Sequence, residues 1–246
     1  MQPLADAVAE GDRIAESASQ QDLPLRLLGG VAVALRCPSS RQPPLRREYA
    51  DIDFATRGSA AKDVVALLGS LGYAADREFN TLHGHRRLLF WEEANQRQVD
   101  VFVDEANLCH RIGFRDRLDL PSPTLSLADL TVLKLQVVET NDKDYLDLCA
   151  IFADHDLGEE GSGVDSAYIA ALAAADWGLW RTMGMVAERT AQFALELPGF
   201  DAGARVASRL TRLREELDKV PKSRGWKLRS RIGDRKRWYE LPEEVN

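Results

Sequence analysis

The chain is poor in the residues that build disulfide frameworks and zinc sites. Its 246 residues include three cysteines and four histidines. Cys37, Cys109 and Cys149 are odd in number and far apart, so they form neither a disulfide framework nor a Cys-x-x-Cys metal knuckle. We expect all three to be reduced and to pack inside the protein.

Long apolar runs and repeats are also missing. No uncharged apolar stretch approaches the roughly 20 residues needed to cross a bilayer. The first residues, from Met1 to Asp6, do not show a basic segment followed by an apolar one, as a secretory signal would. No repeat of solenoid length and no low-complexity tract is present. We therefore expect a cytoplasmic protein that has no membrane partner.

The composition is that of a soluble globular protein. Hydrophobic residues make up 45% and charged residues 29%, and the length suits one large or two small domains. The formal net charge of -7 hides an asymmetry. The segment from Lys219 to Arg237 holds nine basic residues and one acidic residue, so a strongly acidic body carries a basic tail.

Hydrophobic periodicity divides the chain into a mixed front half and a helical back half. The predicted strands are 25–28, 48–55, 73–79, 85–91 and 98–103. The predicted helices are 3–20, 31–35, 59–71 with Ser59 as N-cap, 127–138, 142–153, and a helical region over 165–220 that is broken near 197–199. Residues 37–44 read as a Pro-rich loop, 108–122 as irregular or short-stranded, and 158–163 as a linker.

These elements predict an α/β (α+β) fold in which helices flank a mixed sheet and an all-helical C-terminal region follows. We predict a first domain over residues 1–157 and a helical region with the basic tail over 164–246.

Two acids share one face of a predicted strand. Asp51 and Asp53 alternate with Ile52 and Phe54, so both carboxylates point to the same side. Neighbouring carboxylates repel each other unless a hard divalent cation lies between them. Asp100, which lies between two valines in a later strand, is the natural third acid if the strands are neighbours. Three such acids suit two-metal phosphoryl transfer, whereas Asp51 and Asp53 alone also suit a solvated strand face.

A glycine pair follows the first predicted strand. Gly29 and Gly30 lie between residues 25–28 and a predicted helix, where backbone amides and the helix N-terminus favour an anion such as a triphosphate. Taken alone, a Gly-Gly pair is more often a simple turn.

The order of these motifs resembles the nucleotidyltransferase superfamily of DNA polymerase beta. In that family a Gly-Gly or Gly-Ser turn precedes an acid-x-acid strand and a third acid on another strand. Leu133-Lys134-Leu135 and Lys143-Asp144-x-x-Asp147 resemble the lysine and Lys-Asp motifs of its abortive-infection toxin branch. The resemblance covers about residues 25 to 150 and implies a nucleotidyltransferase core.

The resemblance implies a role for each matching position. Gly29 and Gly30 would cradle the nucleotide phosphates, and Asp51, Asp53 and Asp100 would ligate one or two magnesium ions, with manganese as a possible substitute. Asp100 would also help to deprotonate the acceptor, and Lys134 would neutralise triphosphate charge. Asp144 would orient Lys134 or the acceptor, and Arg47 would touch phosphate.

Several alternatives stay open at this point. Twenty residues separate Gly30 from Asp51, more than is usual in the family, and we assign the excess to the loop at 37–44. Asp104 could replace Asp100 as the third acid. Asp-x-Asp also opens haloacid-dehalogenase phosphatases, although Ala55 stands where those enzymes have threonine or valine. Lys134 could equally be an ordinary helix residue whose aliphatic stem packs on the core.

The basic tail suggests an acceptor. Its lysines and arginines alternate with Trp226, Trp238 and Tyr239, a pattern that suits RNA because cations pair with phosphates and rings stack on bases. A tail that is solvated or docked on the acidic body is the alternative. The sequence thus predicts a magnesium-dependent transfer of a nucleoside monophosphate from a nucleoside triphosphate to a hydroxyl, with RNA, especially tRNA, a small aminoglycoside-like molecule or a protein as acceptor. The other hypothesis is an inactive fold that binds nucleotide or RNA, or pairs with an antitoxin-like protein.

Overall fold

The computed structural model describes residues 2–119 and 122–241, which form ten α-helices, nine strands and four short 3-10 helices. The strands are β1 (Arg26–Leu28), β2 (Asp51–Thr56), β3 (Ala74–Ala75), β4 (Arg87–Glu92), β5 (Arg97–Val103), β6 (Glu105–Asn107), β7 (Arg111–Gly113), β8 (Leu157–Gly158) and β9 (Val164–Asp165). The helices are α1 (Ala7–Ser19), α2 (Gly29–Arg36), α3 (Ala61–Ser70), α4 (Arg77–His83), α5 (Leu127–Leu135), α6 (Asp142–Asp154), α7 (Ser166–Ala175), α8 (Trp177–Glu196), α9 (Gly203–Lys219) and α10 (Arg224–Ser230).

Two compact units divide the described chain. The first consists of residues up to 36, 48–106 and 112–126, and the second consists of 37–47, 107–111 and 127 onwards. Compact units are not the same as domains that fold independently, so the predicted division into 1–157 and 164–246 stays a prediction.

The first unit is built on a five-stranded mixed sheet in the order β1-β2-β5-β4-β3. β2 and β5 are parallel, and every other neighbouring pair in this sheet is antiparallel. The mixed sheet with helices, followed by a helical C-terminal region, confirms the predicted α+β architecture at this level.

One face of the sheet forms the core of the first unit. Ile52, Phe54, Val99 and Val101 alternate along β2 and β5 and are fully buried. Gly11 lets α1 lie against this face, because a Cβ there would collide with Val31 of α2 and reach Leu27 of β1 and Ile52. The period-2 pattern therefore leaves the acidic positions of β2 and β5 on the opposite face.

The second unit is mostly helical. α9 buries Val206, Leu210, Leu213 and Leu217 along one stripe, as the 3.6-residue period requires. Asp165 and Asp176 cap α7 and α8 through hydrogen bonds from the backbone amides of Tyr168 and Leu179. The predicted break near 197–199 is confirmed, and Asp176 adds a second break that the sequence analysis did not predict.

Two predicted elements are wrong. Residues 73–79 were expected as one strand, but the strand covers Ala74–Ala75, because Asp76 accepts a hydrogen bond from the Phe79 amide and begins α4. Ser59 does not cap a helix. It lies in a 3-10 turn over Gly58–Ala60, and α3 follows Ala60 without a side-chain cap.

The three cysteines are buried, as predicted. Among the described residues, none of the helices combines the length and apolar character that a membrane span requires.

Candidate active site

Paired strand positions place three rows of side chains on the polar face of the sheet, which we call the site face. Residues that pair across neighbouring strands project to the same side. The first row contains Asp51, Gln98 and Trp91, the second contains Leu28, Asp53, Asp100 and Leu89, and the third contains Arg26, Ala55, Phe102 and Arg87.

The three predicted acids share the site face. Asp53 and Asp100 are direct partners on the parallel strands β2 and β5, whose backbones are about 4.8 Å apart. Asp51 lies two residues before Asp53 on the same side. Asp51 is exposed, Asp53 is half-buried, and Asp100 is buried with 3% of its surface exposed.

The glycine turn adjoins Asp53. Leu28, the last residue of β1, pairs with Asp53, and Gly29 begins α2. Gly29 has a φ of 68°, and a Cβ at this position would overlap the Oδ2 atom of Asp53. The N-terminus of α2 therefore lies beside the Asp53 carboxylate. The predicted binding of phosphate at this turn stays a prediction.

Asp100 already has two protein partners. Arg87 Nε donates a hydrogen bond of 2.7 Å to Oδ1, and Gln98 Nε2 donates one of 2.8 Å to Oδ2. The Arg87 guanidinium also lies 5.1 Å from the centre of the Phe102 ring. The metal-ligand role of Asp100 stays a prediction, and it would require Asp100 to give up one of these donors.

Neither partner of Asp100 was predicted from the sequence. The alternation of β5 places Gln98 on the side of Asp100, so this residue was within reach of the sequence pattern. Arg87 depends on the pairing of β4 with β5, which sets Leu89 opposite Asp100. That register is not encoded in a local motif.

The donor set fits a cation that is shared with a substrate. Among residues 2–119 and 122–241, no three or more His, Cys, Asp or Glu side chains are grouped to hold a metal ion. Asp51 and Asp53 supply carboxylate oxygens, and magnesium is commonly held by one or two carboxylates together with substrate phosphates and waters. The site face therefore suits a cation that arrives with a polyphosphate better than a cage made by the protein alone.

Asp104, the alternative third acid, lies away from this group. It follows the end of β5 with a φ of 63°, four residues beyond Asp100 and therefore about 13 Å along the strand direction. Its carboxylate accepts a hydrogen bond of 3.2 Å from the Gly58 amide. This contact gives Asp104 a role in the loop after β2.

The second unit holds a compact ion cluster, which we call the Lys134 cluster. Lys134 Nζ lies 2.8 Å from Asp144 Oδ1 and 2.8 Å from Asp147 Oδ2. Arg47 donates two hydrogen bonds to Asp147, from Nε to Oδ1 at 3.0 Å and from Nη2 to Oδ2 at 2.8 Å. Two cations and two anions thus alternate, and Asp147 touches both cations.

Local structure explains this arrangement. Asp144 and Asp147 are three residues apart on α6 and so share one helix face, while Lys134 is in the last turn of α5. Asp144 also completes a capping box with Asn141. Burial alone would lower the pKa of Lys134, but the charges of Asp147 and Asp144 outweigh it and raise that pKa above its ordinary value.

These contacts bear on three predicted roles. The ammonium group of Lys134 forms ion pairs with Asp144 and Asp147, whereas an ordinary helix lysine would extend it into solvent. Asp144 makes the contact with Lys134 on which its orienting role depends. Asp147, to which the sequence analysis gave no role, is the common partner of Lys134 and Arg47. The predicted contacts of Lys134 and Arg47 with nucleotide phosphate stay predictions.

The C-terminal segment, residues 221–241, uses its tryptophans for packing. Trp226 meets Trp180 edge-on at 5.2 Å, and Trp238 meets Trp177 edge-on at 5.9 Å. Trp238 Nε1 also donates a hydrogen bond of 3.0 Å to Thr182 Oγ1. These rings are engaged within the second unit, so they do not form an open platform for bases.

The basic side chains of this segment behave differently from its tryptophans. Arg229 lies over the Trp177 ring, 4.4 Å from its centre. The exposed basic residues are Arg224, Lys227, Arg231, Arg235, Lys236 and Arg237. The segment thus combines an anchored aromatic side with a basic side that faces solvent.

Comparison with known proteins gives distant likenesses. No protein-family model and no curated protein sequence matches the chain. A Helicobacter pylori structure described as a "putative nucleotidyltransferase" has a TM-score of 0.40 and 11% identity, and the likeness covers 88% of this chain and 96% of that one. The structure of JHP933 from Helicobacter pylori has the same TM-score and identity, with 91% and 94% covered. Likenesses this distant do not define an activity for the chain.

Proposed function

We propose that the chain is a magnesium-dependent nucleotidyltransferase that moves a nucleoside monophosphate from a nucleoside triphosphate to a hydroxyl group. The observation that carries the proposal is that Asp51, Asp53 and Asp100 share one sheet face and that Gly29 lies against Asp53. This is the arrangement that the resemblance to the polymerase-beta superfamily implies, and it depends on a strand pairing that the motif alone does not contain.

Each group of residues would have its own role in the reaction. Backbone amides at Gly29 and Gly30 would bind phosphate oxygens at the start of α2. Asp51 and Asp53 would hold the magnesium ion, which would neutralise phosphate charge and polarise the bond to be broken. Asp100 would accept the proton of the acceptor hydroxyl once Arg87 has moved aside.

The reaction is a substitution at the α-phosphorus. A bond forms from the acceptor oxygen to this phosphorus, the bond to the bridging oxygen breaks, and pyrophosphate leaves with the bonding electron pair. Positioning and charge neutralisation supply the catalysis, because phosphoryl-type transfer asks for little covalent chemistry from the protein.

The direct test follows labelled nucleotides into acceptors. Purified protein is incubated with each α-labelled ribonucleoside triphosphate, magnesium or manganese, and total RNA, an aminoglycoside or a protein mixture. We expect transfer by the native chain and its loss in Asp53→Asn. Asp63→Asn is the matched control, because Asp63 is an exposed acid on α3. An intact fold that labels no acceptor would contradict the proposal.

RNA is the acceptor that the C-terminal segment favours. Six exposed basic residues on one short segment suit phosphate contacts, and each contact releases counterions, so affinity should fall steeply with salt. Replacing Arg224, Lys227 and Arg231 together by Gln should reduce the slope of log affinity against log salt for tRNA. The slope should stay unchanged in Asp53→Asn, because that change lies in the other unit.

A second candidate function is binding without turnover. The contacts of Asp100 with Arg87 and Gln98 favour it, because the third acid is already satisfied by protein donors. Such a chain would bind nucleotide or RNA, or pair with an antitoxin-like protein. Asp51→Ala separates the two functions: an enzyme loses transfer and metal-dependent nucleotide binding, whereas a binding module keeps its affinity for RNA or for its partner.

A further inference from the structure

Trp91 differs from every other tryptophan in the described chain. Trp177, Trp180, Trp226 and Trp238 pack with one another in the second unit. Trp91 belongs to β4 of the first unit and leaves 41% of its surface exposed. An aromatic ring that is open to solvent beside acidic residues can stack on a flat ligand.

The position of Trp91 relates it to the acids. It stands in the first row of the site face, where Asp51 pairs with Gln98 and Gln98 pairs with Trp91. Two strand spacings separate Trp91 from Asp51, which is about 9.5 Å between backbones. The glycine turn after β1 lies beside Asp53 in the second row, on the side of β2 away from β5.

The site face therefore carries three chemically different groups in order from β1 to β4. The turn at Gly29 offers backbone amides, Asp51 offers a carboxylate, and Trp91 offers an open aromatic face. In a nucleoside triphosphate the phosphates, which bind magnesium, lie at one end, and the base lies at the other end beyond the ribose. From β1 to β4 the site face spans three strand spacings, or about 14 Å, a distance that an extended nucleotide can bridge.

The ring is also held in place. Trp91 Nε1 donates a hydrogen bond of 3.0 Å to Glu93 Oε2, which fixes the orientation of the indole. A ring that is already oriented loses less conformational freedom when a ligand stacks on it. The hydrogen bond thus keeps the indole ring in an orientation in which a planar ligand can stack on its exposed face.

We propose that Trp91 is the stacking platform for the nucleobase of the donor nucleoside triphosphate, at the opposite end of the site face from the glycine turn. This inference rests on the proposed function, since it assigns the base end of the same bound nucleotide. Stacking accepts every base because each has a π-face, so Trp91 would contribute affinity for the nucleoside part and not for the phosphates.

The test compares ligands that have a nucleoside with one that lacks it. Equilibrium binding is measured with magnesium for each of the four common ribonucleoside triphosphates and for inorganic tripolyphosphate, which has no nucleoside. We expect Trp91→Ala to weaken binding of at least one nucleoside triphosphate about tenfold and to leave tripolyphosphate binding unchanged. Trp91→Phe, which keeps a ring, should stay within about threefold of the native affinity.

A fluorescence readout reports stacking independently of affinity. Saturating nucleotide should quench part of the native emission, and this nucleotide-dependent part should be absent in Trp91→Phe. Leu82→Ala is the control for a general effect of removing exposed apolar surface, because Leu82 on α4 is 63% exposed.

The outcomes distinguish this inference from the proposed function. Native protein that binds nucleoside triphosphate, together with a Trp91→Ala variant of equal affinity, overturns the stacking platform and leaves the proposed function standing. Equal loss of nucleotide and tripolyphosphate binding in Trp91→Ala also overturns it. Native protein that binds neither ligand overturns the proposed function and this inference with it.

Discussion

Gly29 and Asp53 lie so close together that no side chain fits between them. A Cβ on Gly29 would overlap Oδ2 of Asp53, and the φ of 68° at Gly29 belongs to the left-handed region. The turn and the acid therefore constrain each other: only glycine leaves room for the Asp53 carboxylate at the start of α2. Two predictions of the sequence, the anion cradle and the acid pair, meet in this one contact.

Gly29→Ala should damage both stability and the site. A left-handed conformation costs a non-glycine residue about 1–2 kcal/mol, and the added methyl group must push the Asp53 carboxylate away. We expect urea unfolding to give a loss of about 2 kcal/mol or more, and magnesium-dependent nucleotide binding to fall further than stability alone explains.

Gly184→Ala is the matched control for this substitution. Gly184 lies inside α8, has an ordinary helical φ, and a Cβ there would meet nothing within 4 Å. Alanine in a helix interior should stabilise the chain by about 0.5–1 kcal/mol. A Gly29→Ala variant as stable as native protein would contradict the tight contact with Asp53.

Asp147 should be the most sensitive member of the Lys134 cluster. It is 2% exposed and binds both Lys134 and Arg47, so Asp147→Asn removes the carboxylate that Arg47 binds and leaves Lys134 with Asp144. Removal of one partner from a buried ion pair typically costs about 3–5 kcal/mol. Urea unfolding should show a loss in this range.

Asp142→Asn provides the comparison on the same helix. Asp142 is exposed in the first turn of α6 and contributes mainly through the helix dipole, an effect of about 0.3–1 kcal/mol. If Asp142→Asn and Asp147→Asn destabilise the chain equally, the cluster is not the support that its geometry indicates.

Sequence patterns captured what is local in this fold. The alternation from Val99 to Val103 predicts most of β5, which is Arg97–Val103, and the predicted helix 142–153 is α6, Asp142–Asp154. The period also places Asp51 and Asp53 on one side of β2. Where two local signals compete, the pattern fails: apolar residues around position 75 favour a strand, but the Asp76 cap turns the chain into α4.

Contacts between distant segments were beyond the sequence. The neighbourhood of Asp53 and Asp100 was a condition of the hypothesis and needed the parallel pairing of β2 with β5. Arg87 reaches Asp100 through a register that no motif encodes. Arg47 meets Asp147 from one hundred residues away, so a local Lys-Asp motif gives no sign that the two residues form a pair.

Glu10 should make stability depend on acid pH. It is fully buried, and although burial raises its pKa, hydrogen bonds from Arg13, the Leu4 amide and Tyr73 outweigh this and lower the pKa below the ordinary 4.5. The unfolded chain then binds a proton more readily than the folded chain. The contribution of Glu10 to stability is therefore present above about pH 4.5 and is lost as the pH falls through the lowered pKa.

Glu10→Gln removes this dependence. We expect the variant to be less stable than native protein at pH 7, with the difference shrinking as the pH falls below 4.5, measured by urea unfolding at pH 7.0, 5.0 and 4.0. A difference that stays constant over this range would mean that the charge of Glu10 does not contribute. Glu16→Gln, at a position on α1 that is exposed, should show little difference at any pH.

Arg87 should compete with a cation for Asp100. The Arg87 Nε donates to Oδ1, so a cation can recruit Asp100 as a third ligand only if that hydrogen bond breaks. Arg87→Gln removes the positive charge and leaves a buried carboxylate that gains from a new partner. We therefore expect the variant to lose stability without metal and to bind magnesium or manganese more tightly than native protein. Its Tm should also rise more with metal, because a ligand that binds the folded state stabilises it by mass action.

Calorimetric titration measures the metal affinity of the Arg87→Gln variant, and thermal unfolding with and without metal measures its stability. Arg86→Gln, at the exposed neighbouring position, is the control. Unchanged metal affinity in Arg87→Gln would indicate that Asp100 is not a latent ligand and that Asp51 and Asp53 hold the cation without it.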